Sequence, residues 1–285
     1  MFWYNNRKAG IIPRRIRGIM KKYDLRRPSG GAGMTQGTAM AGRIFITGDK
    51  HGTFSPFFGL AEKNELHADD VFLIAGDAGY VWDTDYGVKI ETLQQLFPGT
   101  VAFIDGNHEN HALLAAAPIE LWNGGQVHRL GERVVHLMRG ELYTIHGQNI
   151  FAFGGARSVD VDRHKEGTSW WIEEGRSWWP EEEPTAQEIA CGEEKLREHL
   201  GEIDYIITHE TPLFARASIA RAKEVDADYA LPEVFDRWYR MAEAAPKFKK
   251  WYFGHMHVDQ LITPRLRALY SNILLLGEEE RIRWF

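Results

Sequence analysis

Five short apolar runs constrain this chain more than anything else in it: Ile44-Phe45-Ile46, Val71-Phe72-Leu73-Ile74, Val101-Ala102-Phe103-Ile104, Tyr205-Ile206-Ile207-Thr208 and Trp251-Tyr252-Phe253. Each is rich in β-branched or aromatic residues and stops at a glycine or a polar residue, the pattern of a buried strand. Directly after them stand Asp49-Lys50-His51-Gly52, Gly76-Asp77, Gly106-Asn107-His108-Glu109, His209-Glu210 and Gly254-His255-Met256-His257. Open α/β sheets bind ligands in the crevice outside the carboxyl ends of their strands. Strand ends carrying Asp, Asn and His in this way imply one convergent polar site.

From Arg43 onward strand, polar loop and helix alternate, with helices expected near 55–66, 85–96 and 110–117. That alternation predicts a parallel-containing sheet with helices outside it. Between 126 and 154 the helices stop, and runs at 126–130, 133–138, 141–146 and 149–154 are parted by Gly131, Gly140 and Gly147, predicting an antiparallel meander. Units of βαβ type continued by hairpins predict an α/β fold of two face-to-face mixed β-sheets flanked by helices. Residues 155–184 form a long insertion containing Trp170, Trp171, Trp178 and Trp179. These tryptophans argue for a folded segment, built on a small aromatic cluster in preference to a nucleobase-stacking surface. Further helices are expected near 185–200 and 231–243, a strand at 203–208, and closing hairpins over about 249–276.

Charge divides the chain. Residues 1–42 hold nine Lys/Arg against Asp24 alone, so they carry +8, and by difference from the net −6 the remainder carries −14. The first 42 residues therefore read as a flexible basic extension, and 43–285 as the folded domain. Ile12, Ile16, Ile19, Met20 and Tyr23 fall at helical spacing, which suits either a basic arm for an anionic partner or an unstructured leader ahead of a start at Met34 or Met40. The single cysteine, Cys191, excludes an intrachain disulfide and a cysteine-built zinc site. No apolar stretch reaches the ~18 residues a membrane span needs, and the basic start lacks an apolar run after it. The expected location is cytoplasmic.

Asp49, His51, Asp77, Asn107, His108, His209, His255 and His257 offer only oxygen and imidazole donors. Such a set suits Mn²⁺ first, with Fe or Zn²⁺ as alternatives, and contains too much imidazole for Mg²⁺. Asp-x-His and His-x-His in extended backbone would put both side chains on one side. These donors outnumber the needs of a single ion, but two divalent ions sharing a bridging carboxylate would use them.

Taken in order, Asp-x-His, Gly-Asp, Gly-Asn-His-Glu, Thr-His-x-x-Pro and Gly-His-x-His resemble the motifs of the calcineurin-like metallophosphoesterase superfamily, and they spread from Asp49 to His257. The resemblance implies a four-layer sandwich with Asp49, His51 and His257 on one metal, Asn107, His209 and His255 on the second, and Asp77 bridging. It also implies in-line attack on a phosphate ester by a hydroxide between the metals. His108 would stabilise the transition state or protonate the leaving oxygen, and Glu109 would orient His108. One departure is informative: after Asp77 the chain reads Ala78-Gly79-Tyr80-Val81-Trp82, without the Asp-Arg pair of the Ser/Thr protein phosphatases. Arg157, Arg163 or His164 in the insertion would be replacement phosphate contacts, or else a solvated loop face.

Three functions follow: a metal-dependent phosphodiesterase or phosphatase acting on a small or nucleotide-like ester, a nuclease of the same superfamily, or a non-catalytic scaffold. The acidic body is a poor field for a polyanion, which disfavours nucleic acid as the partner. Retention of every motif disfavours the scaffold. His67, His111, His128, His136, His146 and His199 match no motif and are expected to be structural.

Overall fold

A computed structural model describes residues 42–158, 173–219, 228–280 and 282. The basic extension and Arg163, His164, Trp170 and Trp171 lie outside the described residues. The domain opens with β1 (Ile44–Thr47), α1 (Ser55–Lys63), β2 (Val71–Ile74), α2 (Tyr86–Leu96), β3 (Thr100–Ile104) and α3 (His111–Ala115). There follow β4 (Ile119–Trp122), β5 (Gly125–Gly131), β6 (Val134–Leu137), β7 (Glu141–Ile145) and β8 (Gln148–Phe153). A 3₁₀ turn at Pro180–Glu182 leads into α4 (Ala186–Glu198), β9 (Tyr205–Thr208), α5 (Leu213–Arg216) and α6 (Leu231–Glu243). The chain closes with β10 (Lys250–Phe253), β11 (Gln260–Thr263), β12 (Leu266–Ala268) and β13 (Leu274–Leu275).

The strands make two mixed sheets, ordered β13-β1-β2-β3-β6-β5-β4 and β11-β12-β10-β9-β8-β7. Period-2 alternation explains how both faces of each sheet come to be buried. In the first sheet Ile44, Ile46, Val71, Leu73, Ala102 and Ile104 turn inward to meet Ile150, Ala152, Tyr205, Ile207 and Tyr252 of the second. The intervening Phe45, Phe72, Ile74 and Phe103 turn outward onto Phe57 and Leu60 of α1 and Ile90 and Leu93 of α2. Likewise Phe151, Phe153, Ile206 and Trp251 cover their outer face with Leu196 of α4 and Phe235 and Trp238 of α6. Helix, sheet, sheet, helix is thus the layer order, as expected. Each such fully buried side chain contributes about 1.5–3 kcal/mol relative to an exposed one.

Register puts the site at one edge. Thr47 pairs with Ile74, and Ile74 with Phe103, in parallel ladders. Phe253 pairs with Thr208, and Thr208 with Phe153, in the other sheet. The loops that follow these strands therefore leave each sheet at the same level.

Three local expectations are corrected. The stretch 126–154 is not one meander: β5 and β6 pair antiparallel in the first sheet, while β7 and β8 pair in the second. The chain crosses between sheets at Met138–Gly140, where Gly140 adopts φ +75°, a conformation L side chains rarely take. Nor are the last strands simple hairpins. β11 and β12 pair antiparallel with each other, but β10 runs parallel to β12, and β13 returns to lie antiparallel beside β1. Strand β4 gave no signal, because Ile119, Glu120 and Leu121 are all exposed on a sheet edge and show no buried face.

Candidate active site

Backbone strain marks the loops at the strand ends. Among the described residues, six non-glycine residues have positive φ, and four of them are His51 (+46°), Asp77 (+50°), His255 (+63°) and His257 (+52°). Such conformations cost of order 1–3 kcal/mol each and gather where a site demands a particular side-chain direction. His51, His255 and His257 are therefore not in the extended backbone that the sequence suggested, but in left-handed turns. Lys50 N and His51 N both donate to Asp77 O at 2.8 Å, locking the first loop on the second. Gly106 has no alternative: a Cβ there would overlap Asp77 Oδ1 and lie 2.7 Å from His209 Nε2.

Donor atoms of Asp49, His51, Asp77 and His257 all lie within 4.8 Å of one another, a group able to hold a metal ion. His51 Nε2 and His257 Nε2 are 3.0 Å apart, His257 Nε2 is 3.3 Å from Asp49 Oδ1, and His51 Nε2 is 3.8 Å from Asp77 Oδ2. Asp49 also accepts the His255 N–H at 3.1 Å, which joins the first and last motifs.

The other side of Asp77 faces His209. The His209 ring donates through Nδ1–H to Ala75 O at 2.8 Å, so in the neutral ring Nε2 carries a lone pair. That nitrogen lies 3.2 Å from Asp77 Oδ1 and makes no well-formed hydrogen bond. Two acceptors facing one another in a buried space call for a cation or a proton between them. Electrostatics agree: burial would push His209 down, yet the Asp77 charge raises it to about 10. Burial would push Asp77 up, yet His209 and His108 hold it well below the usual carboxylate range. Asn107 Oδ1 is a second buried acceptor without a hydrogen-bond partner. His255, lowered to about 4 by burial, packs its ring 5.0 Å from that of His209. Orphaned buried acceptors of this kind, with imidazole and carboxylate neighbours, fit divalent cations.

His108 is held by its backbone N–H, which donates to Asp77 Oδ1 at 2.8 Å, and its ring stands edge-on to His51 at 5.0 Å. Glu109 does not reach that ring. Its two oxygens accept the N–H groups of Gly79 (3.0 Å) and Gly106 (2.6 Å), so it ties the second and third loops together. A fully buried carboxylate needs such donors more than it needs a partially exposed imidazole. Arg157 is likewise committed elsewhere: its guanidinium binds Glu183 and Asp228, each at 2.6 Å, and lies over the Tyr229 ring. The expected phosphate contact is replaced by a tie between the insertion and the segment before α6.

Sequence reasoning passed over several neighbours. Trp82 leans on His108 with ring centroids 6.0 Å apart and is backed edge-to-face by buried Trp179, so Trp179 serves packing. Glu210, fully buried, lies 3.7 Å from His255 Nε2 and is held by Arg216 at 2.8 Å and Tyr229 at 3.2 Å. Its place next to His209 was the available signal. Three of the histidines outside the motifs make buried contacts of their own: His128 and His136 share a 2.9 Å contact, His136 reaches Asp105, and His111 donates to Gly106 O.

No helix of the described residues is long and apolar enough to cross a membrane. A comparison with curated proteins found no match. Residues 42–259 match the family model described as calcineurin-like phosphoesterase, a span that takes in every loop of the site. The chain belongs to the calcineurin-like phosphoesterase family, whose members are generally metal-dependent phosphoesterases.

Proposed function

We propose that this chain is a dinuclear metal-dependent phosphoesterase acting on a small or nucleotide-like ester. One observation carries the reading: Asp77 stands between two donor sets. On one side Asp49, His51 and His257 gather within 4.8 Å, and on the other His209 Nε2 is buried without a hydrogen-bond partner, as is the nearby Asn107 Oδ1. Asp49, His51 and His257 would hold one divalent ion, and Asn107, His209 and His255 the second, with Asp77 on both. Mn²⁺ is the first choice for this donor set, and Fe or Zn²⁺ would also suit it. When bound, two such ions supply Lewis acidity and a water nucleophile of lowered pKa for in-line displacement at phosphorus.

The chain's own residues do the rest. His108 stands next to His51 with its backbone pinned to Asp77, so its imidazole is the group able to meet the leaving oxygen or the charge that builds on it. Glu109 acts at one remove, fixing the Gly79 and Gly106 loops that carry Asp77 and Asn107. Trp82 limits how far the His108 ring can swing. A reducing, cytoplasmic setting suits the lone, exposed Cys191.

The test is hydrolysis of bis-p-nitrophenyl phosphate beside p-nitrophenyl phosphate, with Mn²⁺ returned to chelator-treated protein and Asp77→Asn as control. Metal-dependent turnover lost in the control is the expected result, and the favoured ester separates phosphodiesterase from phosphatase. A protein that binds no divalent ion and turns over neither ester would end this reading.

A further inference from the structure

Tyr270 takes no part in the roles above, yet the loop that carries it is tied to both ends of the first donor cluster. Its ring stacks on the His257 imidazole, with centroids 4.8 Å apart and planes 19° from parallel. Its N–H donates to Asp259 Oδ1 at 2.9 Å, and the same carboxylate accepts the N–H groups of Ser271 and Asn272. Its carbonyl accepts from Lys50 Nζ at 2.6 Å, and Lys50 is a buried lysine lying between Asp49 and His51. Thr47 Oγ1 donates to the carbonyls of Tyr270 (3.3 Å) and Asn272 (2.8 Å). The loop after β12 is therefore fastened to the first motif through its carbonyls and to the last motif through Asp259.

His257 is the ring that needs such support. Its side chain is 44% exposed and its backbone sits at φ +52°. Metal-ligating imidazoles are usually oriented by an acceptor on the nitrogen away from the metal. His209 has one, Ala75 O. His257 makes no hydrogen bond through Nδ1 to any described residue, and its polar neighbours Asp49 and His51 both meet Nε2. What contacts the flat of its ring is Tyr270.

We propose that Tyr270 is the positioning residue for His257: its stacked ring, on a loop anchored by Lys50 and Asp259, holds the imidazole plane so that Nε2 faces Asp49 and His51. The stack fixes the ring from its face, a task that an acceptor in the ring plane would otherwise perform. This inference rests on the reading of His257 as a cation ligand, and the test separates the two.

Chelator-treated full-length protein is titrated with Mn²⁺ by calorimetry, with circular dichroism as the check on folding. Wild type is expected to take up two ions. Tyr270→Leu should weaken one of them about 10-fold, the scale on which loss of an outer support acts, and leave the other unchanged. Tyr270→Phe, which keeps the ring, should bind as wild type does. Asp259→Asn loosens the loop without touching the ring and should give an intermediate loss, and it decides the matter if Tyr270→Leu fails to fold. Wild-type affinity in folded Tyr270→Leu, or in Asp259→Asn should Leu not fold, overturns the inference alone. So does a loss in Tyr270→Phe equal to that in Tyr270→Leu, since the hydroxyl would then be the active part. A wild type that binds no Mn²⁺ overturns both the inference and the function it rests on.

Discussion

Replacing Arg139 by Leu tests how the site loop is held from below. Asp105, the residue before Gly106-Asn107-His108, is 1% exposed, and Arg139 grips its Oδ2 through Nε at 2.9 Å and Nη2 at 2.6 Å. The same guanidinium reaches Glu188 at 3.2 Å and the Glu181 carbonyl at 2.7 Å, so it joins the third motif to the insertion and α4. Burial would raise Asp105, but Arg139 above all, then His136, hold it well below the usual carboxylate range. A carboxylate lowered in this way contributes stability that is present above the unfolded pKa near 4 and is lost as pH falls below it. Arg139→Leu strands the charge, and breaking a buried pair from one side costs about 3–5 kcal/mol. The lower end is expected, because His136 Nε2 remains 3.1 Å from Asp105 Oδ1. For a domain of this size each kcal/mol moves Tm by about 2–4 °C, so the drop is at least about 6 °C. Asp105→Asn combined with Arg139→Leu removes the stranded charge and should recover much of that loss in urea unfolding. A single variant losing under about 1 kcal/mol, or a double variant no better than the single, would refute the account.

Other outcomes follow from the same geometry. Gly106→Ala puts a methyl group against Asp77 Oδ1 and His209 Nε2, and should lower Mn²⁺ affinity even if the protein remains folded; unchanged calorimetry would show that the loop yields freely. Asp77→Asn should weaken Mn²⁺ binding by more than the ~10–100-fold typical of losing an outer support, because it removes a charge common to both donor sets; metal content after dialysis checks this. His111 is lowered to about 4, chiefly by burial, with Asp105 opposing. Its unfolded ring titrates near 6.5, so as pH falls from 6.5 to 4 the unfolded state binds a proton that the folded state refuses, and stability declines by up to about 3 kcal/mol. His111→Gln should flatten that part of the stability–pH curve, and identical curves for the two proteins would contradict the assignment.

How much could be foreseen depends on the range over which each interaction acts. Alternation within Ile44-Phe45-Ile46 or Val71-Phe72-Leu73-Ile74 follows from the local geometry of a strand, so the runs, the two buried faces and the layered α/β architecture were legible in one dimension. The same holds for the donors, since each occupies a loop directly after its strand. Pairing is another matter. Nothing local says that β7 leaves the sheet containing β6, because pairing joins residues far apart in the chain. The left-handed turns at His51, Asp77, His255 and His257 are imposed by neighbours from other motifs, such as the Asp77 carbonyl under Lys50 and His51.

By itself the sequence determined which residues bring oxygen and imidazole to the strand ends, and in what order. Only the tertiary structure decided how the supporting charges and rings are spent. Glu109 serves two backbone N–H groups in place of His108, and Arg157 answers Glu183 and Asp228 in place of a ligand. Tyr270 meets Lys50 across 220 residues of chain to stand against His257. The reason is physical: alternation and side-chain chemistry are properties of a few consecutive residues, whereas a buried charge takes whichever partner the fold brings within hydrogen-bonding distance.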